Sequence, residues 1–475
     1  MTSDAIHPLI LAGRHEVRDE RVLLRNPANG ALLGEISCAG IADAEQACVA
    51  AARAFLQTRR LPSWKRSAIL AQMAEAISTR AEDLARTIMR EAAKPIADAR
   101  KEVARALETV RVAAEEARRI HGALDAADWT PGNEGRIALT RRFPIGPILG
   151  VTPFNFPLNL VAHKVAPAIA SGNPIIIKPA PQTPLSALRL ATLAIEAGWP
   201  PQAISVLPCT NDVTAKLVED ERISMLSFTG SAAVGWRLKA LVPRKRVTLE
   251  LGGNAAVVVC VDADLDLATE RIIAGGFGYA GQSCISVQRV YAHNSLHAAL
   301  LERLHAALAS WIPADPALES TRVGPMISAA AAQRAEEWIA SAVSSGARLH
   351  CGGSRHGAYL APALLSEVPQ DSALCREEAF APVVLVNSFS TIDEAFERVN
   401  ASSYGLQAAI FTRSWATVAR AWNELAVGAV LMDESSSWRA DHLPYGGTKN
   451  SGVGKEGVRS AIEEMTEPRI LLVPA

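Results

Sequence analysis

No apolar run in this chain of 475 residues reaches the roughly 18 residues a membrane helix needs, so no spanning segment is expected. An excess of one charge sign is also missing. Lys and Arg number 48 against 49 Asp and Glu, a formal net charge of −1. A nucleic-acid partner is therefore not expected, because such binding needs a basic excess to displace counterions. The N-terminal stretch has no basic segment followed by an apolar one, and no secretory signal is expected. The seven cysteines are scattered from Cys38 to Cys375 without CxxC or metal-ligand spacing. They read as reduced thiols in a cytoplasmic protein, with no metal site. No period of 20 to 50 residues repeats, which argues against a solenoid. What remains, with 49% hydrophobic and 20% charged residues, is the composition of a large cytosolic α/β enzyme.

The first third reads as helical, with three- and four-residue apolar spacing in residues 43–56, 65–78 and 99–120. Turn residues at 128–133 lead into an alternating strand near 137–143. From Ile148 onward short apolar runs alternate with helices, the pattern of a parallel sheet with crossovers. The runs lie at 148–151, 175–177, 204–207, 225–228, 247–249 and 256–259, and a second alternating region extends from 287 to about 431. The closing strand at 468–473 has no neighbour in sequence, and the excursion near 137 is its candidate partner.

Gly276–Gly281 spells GxGxxG, but a helical stretch precedes it where the dinucleotide fingerprint needs a strand. A better anion site is Phe228–Gly235, where a strand ends and a helix begins and free amides face outward. A plain helix cap accounts for it equally well. Glu250 ends a strand and precedes two glycines, so its carboxylate is either a desolvated base or a solvated strand end. Cys284 in GQSC is a nucleophile or a buried structural thiol. Asn155 in PFNFP stands at a strand's carboxyl end, where open α/β sheets bind ligands, or it is a turn residue. Lys178 closes the run Ile175–Ile177 as a ligand contact or an edge residue.

The order of these motifs carries more than any one of them. PFNFP, IIKPAPQTPL, FTGSAAVG, LELGGN, GQSC and EEAFAPV occur in sequence, followed by Asn400–Thr412 and Leu443–Gly457. Together they resemble the NAD(P)-dependent aldehyde dehydrogenase superfamily across nearly the whole chain. The resemblance implies an α/β fold of two parallel-sheet domains plus a small β oligomerisation arm. Residues 1–121 and 145–252 would form the cofactor-binding domain and 253–449 the catalytic domain. Residues 122–144 and 450–475 would supply the arm and C-terminal segment. A homodimer or homotetramer is expected.

By the same resemblance Cys284 would attack the aldehyde carbon, Asn155 would hold the oxyanion and Glu250 would activate the hydrolytic water. On the cofactor side, Thr152 and Lys178 would lie along NAD or NADP, with Gly230 and Ser231 at the pyrophosphate. Glu378 would hold the nicotinamide ribose and Phe380 would pack on the ring. Two departures stand out. Cys209 occupies a position where many members have Gly, and Pro181 one where NAD-preferring members often carry an acid. Either nicotinamide therefore fits, with NAD slightly favoured. The segment Ser435–Tyr445 is similar to the lactaldehyde and non-phosphorylating glyceraldehyde-3-phosphate dehydrogenase branch. That branch implies a small aldehyde substrate met by Arg105, Ser283, Arg439 and His442. Arg105 is otherwise a solvated helix residue. Alternatives are a coenzyme-A-acylating relative, which would not need Glu250, and a non-redox thiol esterase, which would leave the cofactor motifs idle.

Overall fold

Short runs of aliphatic residues buried on both faces build two parallel-centred sheets in this computed structural model, which describes residues 5–474. In the first sheet five strands run parallel: Arg246–Glu250, Met225–Thr229, Ile148–Val151, Ile175–Lys178 and Ile204–Val206. Helices on both sides cover them, and Ile175, Ile176 and Ile177 are completely buried. Antiparallel edges close it, Gly452–Val453 on one side and Leu9–Leu11 with Arg14–Glu16 on the other. The second sheet has seven strands, with Ala255–Val259 and Val287–His293 at its centre. A three-stranded antiparallel arm joins Ala123–Ala126, Ile137–Pro144 and Thr466–Val473. The closing strand, which has no neighbour in sequence, thus pairs with the excursion near 137, as expected.

Helix Asn159–Ser171 runs through the interior and every one of its residues is buried. Its start is tied down by Glu102, whose Oε1 accepts the amides of Leu158 at 2.9 Å and Asn159 at 3.2 Å. Glu102 is also paired with buried Lys94, so a carboxylate completes the positive end of the helix without being left alone in the core. This helix matters to function because it brings His163 and Lys164 within 3.6 and 3.5 Å of the Glu456 carboxylate.

One expectation needs correction. The first third is not helical throughout, since residues 6–37 contain five short strands. They are two to six residues long, too short for a period to show, and pair mainly with one another, as Leu9–Leu11 with Arg14–Glu16 and Arg21–Arg25 with Leu32–Ser37. The C-terminal segment, residues 450–475, divides between the first sheet and the arm. Gly452–Val453 pairs with Leu249 and Glu250 in the first sheet, helix Val458–Glu464 packs on Asn159–Ser171, and only Thr466–Val473 enters the arm.

Candidate active site

The carboxyl ends of the first sheet's strands face the loop that leads into Val287–His293 of the second. Between them lies a cavity of about 380 Å³. Asn155, Glu250, Cys284, Gly230, Ser231, Glu378, Phe380, Arg105, Ser283 and Arg439 all reach its wall. Ten residues singled out from separate stretches of sequence therefore converge on one space. Thr152 and Lys178 lie beside it at adjacent strand ends, where the Thr152 amide donates to the Lys178 carbonyl at 3.1 Å. His442 is a correction. It is exposed and off the cavity wall, because the loop turns its neighbour Asp441 inward instead.

The two glycines after Glu250 permit close approach. A Cβ on Gly252 would stand 2.3 Å from a Glu378 carboxylate oxygen, and one on Gly253 would stand 2.2 Å from the Cys284 carbonyl. Gly253 also donates its amide to Glu378 at 3.0 Å. The nucleophile loop is held on its other side by Asn155, whose Nδ2 donates to the Gln282 carbonyl at 2.9 Å. A second proton on that amide remains for a ligand. Burial pushes the Cys284 thiol up to about 12, opposed by its contact with the Tyr445 hydroxyl at 3.1 Å.

Glu250 is buried, and among the described residues neither carboxylate oxygen has a hydrogen-bond partner. Burial first, and then the charge of Glu456, push it well above the ordinary carboxylate range. Burial would raise Glu456 too, but Lys164, Arg439 and His163 outweigh it and bring Glu456 to about 2. The pair therefore divides its charge, with Glu456 the ionised member and Glu250 the one that holds its proton more tightly. Glu378 is raised by burial to about 7.

Sequence reasoning missed most of this polar network. Arg439 donates to Glu456 at 2.8 Å, and Lys164 approaches Glu456 at 3.5 Å. Arg105 grips Asp441 with Nε and Nη2 at 2.9 and 2.7 Å, and His163 lies 2.8 Å from the same carboxylate. Burial opposes ionisation of Asp441, but His163 and Arg105 hold it well below the usual range. Burial and then Arg439 push His163 down, toward the neutral form. Three cations, Arg105, Arg439 and Lys164, thus meet two anions, Asp441 and Glu456, leaving one positive charge in excess. The Nε of buried Arg439 has no hydrogen-bond partner among the described residues. The available signal was His163-Lys164 standing in the otherwise apolar stretch 160–170.

The cofactor side has matching unfilled groups. The Oγ1 of buried Thr152 lacks a partner among the described residues. Ser231 starts helix Ala232–Leu241 without a side-chain cap, so the helix's positive end and the amides beside Gly230 face the cavity. Lys178 is buried at its strand end, and burial lowers its pKa. Phe380 sits in the left-handed region at φ 48° and meets Phe154 edge to face at 5.8 Å. Gly276–Gly281, by contrast, continues from helix Leu265–Phe277 and forms no strand–turn–helix phosphate loop.

The aldehyde dehydrogenase family profile matches residues 15–471. The chain belongs to that family. The 3-sulfolactaldehyde dehydrogenase of Priestia megaterium is 40% identical over 466 residues, which cover 98% of this chain and 97% of that protein. Aldehyde dehydrogenase 21 from Physcomitrella patens, solved with the reaction product succinate, superposes with a TM-score of 0.98 at 39% identity, over 100% of this chain and 99% of that one. The NADP-dependent glyceraldehyde-3-phosphate dehydrogenase from Bacillus halodurans, solved with NADP, gives a TM-score of 0.96 at 32% identity, over 99% and 100%. This aldehyde dehydrogenase therefore has the expected fold, belongs to the expected branch, and oxidises a small aldehyde with NAD or NADP.

Proposed function

We propose that the substrate is a short aldehyde bearing a hydroxyl or a single acid group, oxidised to its carboxylic acid at Cys284. The observation that carries this reading is the single excess positive charge of the Arg105, Arg439, Lys164, Asp441 and Glu456 network beside a cavity of about 380 Å³. In that network the Arg439 Nε has no hydrogen-bond partner among the described residues. One carboxylate or sulfonate would match that charge, whereas a dianionic phosphate would be left half compensated. Ser283 immediately before the nucleophile adds a hydroxyl and no charge. The substrate of the Priestia enzyme and the succinate held by the Physcomitrella enzyme agree in kind, each carrying one acid group besides the reacting carbon.

In this reading the Cys284 sulfur attacks the aldehyde carbon, and the Asn155 amide meets the developing oxyanion. A donor of that kind contributes on the order of 3 kcal/mol to the transition state. A bound nicotinamide would supply the hydride acceptor, and Cys284 would then carry the acyl group as a thioester. Gly230, Ser231, Thr152 and Lys178 would hold the adenosine and pyrophosphate side, and Glu378 and Phe380 the nicotinamide side. Glu250, once it has lost its proton, takes one from water as that water attacks the thioester.

Catalytic efficiencies for lactaldehyde, succinate semialdehyde, glyceraldehyde-3-phosphate and hexanal, with and without coenzyme A, test the reading. Succinate semialdehyde or lactaldehyde should lead without coenzyme A. Arg105→Ala should lower kcat/KM for the acid aldehyde by roughly 10- to 100-fold while changing hexanal far less. A preference for the phosphorylated aldehyde, or for hexanal irrespective of Arg105, would sink it.

Assembly follows from the arm. Thr466–Val473 is an edge strand of eight residues, exposing Ile470, Leu471 and Leu472, while Leu124 and Leu139 are exposed on its sheet neighbours. A long apolar edge of this kind calls for a partner strand or face, and a second copy of the chain supplies one. A homodimer or homotetramer is the expected state, and Ile470→Lys with Leu472→Lys should convert it to monomer in sedimentation velocity. Seven free cysteines fit a reducing, cytoplasmic setting. Among the described residues no helix is long and apolar enough to cross a membrane.

A further inference from the structure

Tyr445 stands in the late motif Leu443–Gly457, and none of the roles discussed so far uses it. Its hydroxyl lies 3.1 Å from the Cys284 Sγ, the one polar side-chain contact of that sulfur among the described residues. The ring is buried with Ile285 and Leu406. Its backbone is clamped to Glu456 by a reciprocal pair, with Tyr445 donating at 2.7 Å and Glu456 at 2.6 Å. The Glu456 side chain in turn binds Arg439, whose guanidinium carbon sits 3.8 Å from the centre of the Tyr445 ring. Backbone, ring and hydroxyl are thus fixed independently, and the hydroxyl is aimed at sulfur.

We propose that Tyr445 is a catalytic residue whose hydroxyl donates a hydrogen bond to the Cys284 thiolate and holds the nucleophile in its reactive form. The inference rests on the reading of Cys284 as the nucleophile. The Cys284 thiol, partly buried in the cavity wall, loses solvation on ionising, and a donor fixed at 3.1 Å replaces part of what water would supply. Other charges around the sulfur act in both directions. Glu378 and Glu250 disfavour the thiolate when ionised, and Arg439 favours it. Burial pushes the Tyr445 phenol up, and Arg439 over the ring face opposes this by favouring negative charge on the phenol oxygen, which strengthens the donor. The Tyr445 proton stays on its oxygen, and the proton lost from the thiol leaves to water.

The test follows alkylation of Cys284 by iodoacetamide across pH, with peptide mass spectrometry to identify the labelled residue. In Tyr445→Phe, which removes one oxygen and keeps the ring, the rate profile should move up by about one pH unit, and alkylation near neutral pH should slow about tenfold. The kcat should fall with it while the cofactor KM stays unchanged. Site-specific replacement of Tyr445 by 3-fluorotyrosine, a stronger donor of nearly the same shape, should move the profile down. An unchanged profile in both variants overturns the proposal. So does a downward shift in Tyr445→Phe, which would make the hydroxyl an acceptor from the thiol. Wild-type alkylation at another cysteine, or alkylation of Cys284 without loss of activity, would instead refute the nucleophile itself.

Discussion

Cys284→Ala should abolish aldehyde oxidation, by a factor on the order of 10⁴ or more, while leaving the fold and the cofactor affinity intact. The chemistry demands a soft nucleophile, since the adduct must expel hydride and survive as an acyl group long enough for water to reach it. Among the described residues no second sulfur reaches the cavity wall to substitute for Cys284. The structural cost is small, because the side chain is only partly buried and its polar contact is the single one with Tyr445. A change in thermal stability of no more than about 1 kcal/mol is expected. Single-turnover absorbance of the reduced cofactor, paired with a fluorescence titration of cofactor binding, separates the two effects. Residual turnover above about a hundredth of the native rate would remove Cys284 from the mechanism.

The parts of this molecule that were legible in its sequence are those whose neighbours in sequence are also their neighbours in space. The run Ile175–Ile177 reads as a strand buried on both faces because a parallel sheet covered by helices asks for nothing else. Glu250 before two glycines reads as a site because close backbone approach leaves a local trace, and the structure brings Glu378 and the Cys284 carbonyl to those two glycines. Even the closing strand could be matched to the excursion near 137, because it had no neighbour in sequence to pair with. What stayed hidden depends on long-range encounters. Lys164 and Glu456 meet across 292 positions of the chain, and Arg105 and Asp441 across 336, so neither pair leaves a spacing to read. His442 shows the limit at its smallest scale. In an irregular loop nothing local says which of two consecutive polar residues turns inward, and the contacts with Arg105 and His163 select Asp441.

Glu250→Gln should separate the two halves of the reaction. Acylation does not need Glu250 as the base for water, so the first turnover should release about one equivalent of reduced cofactor per active site. Hydrolysis of the thioester should then fall by a factor on the order of 10² to 10⁴, the usual contribution of a positioned base. The substitution is mild structurally. Neither oxygen of Glu250 has a hydrogen-bond partner among the described residues, so the amide breaks no existing bond. The wild-type pH dependence supports the same assignment with a definite sign. Burial and the ionised Glu456 hold the Glu250 carboxyl well above the ordinary range, so the proton must leave before this group can act as a base. Steady-state turnover should therefore rise with pH through a range above that of an ordinary carboxylate, and the Gln variant should lose that rise. Rapid-quench measurement of the burst, followed by the linear rate from pH 5 to 9, checks both statements. A linear rate equal to wild type would exclude Glu250 as the base. Loss of the burst with Cys284 still alkylated at the native rate would instead place Glu250 before the thioester, in acylation or in placing the aldehyde.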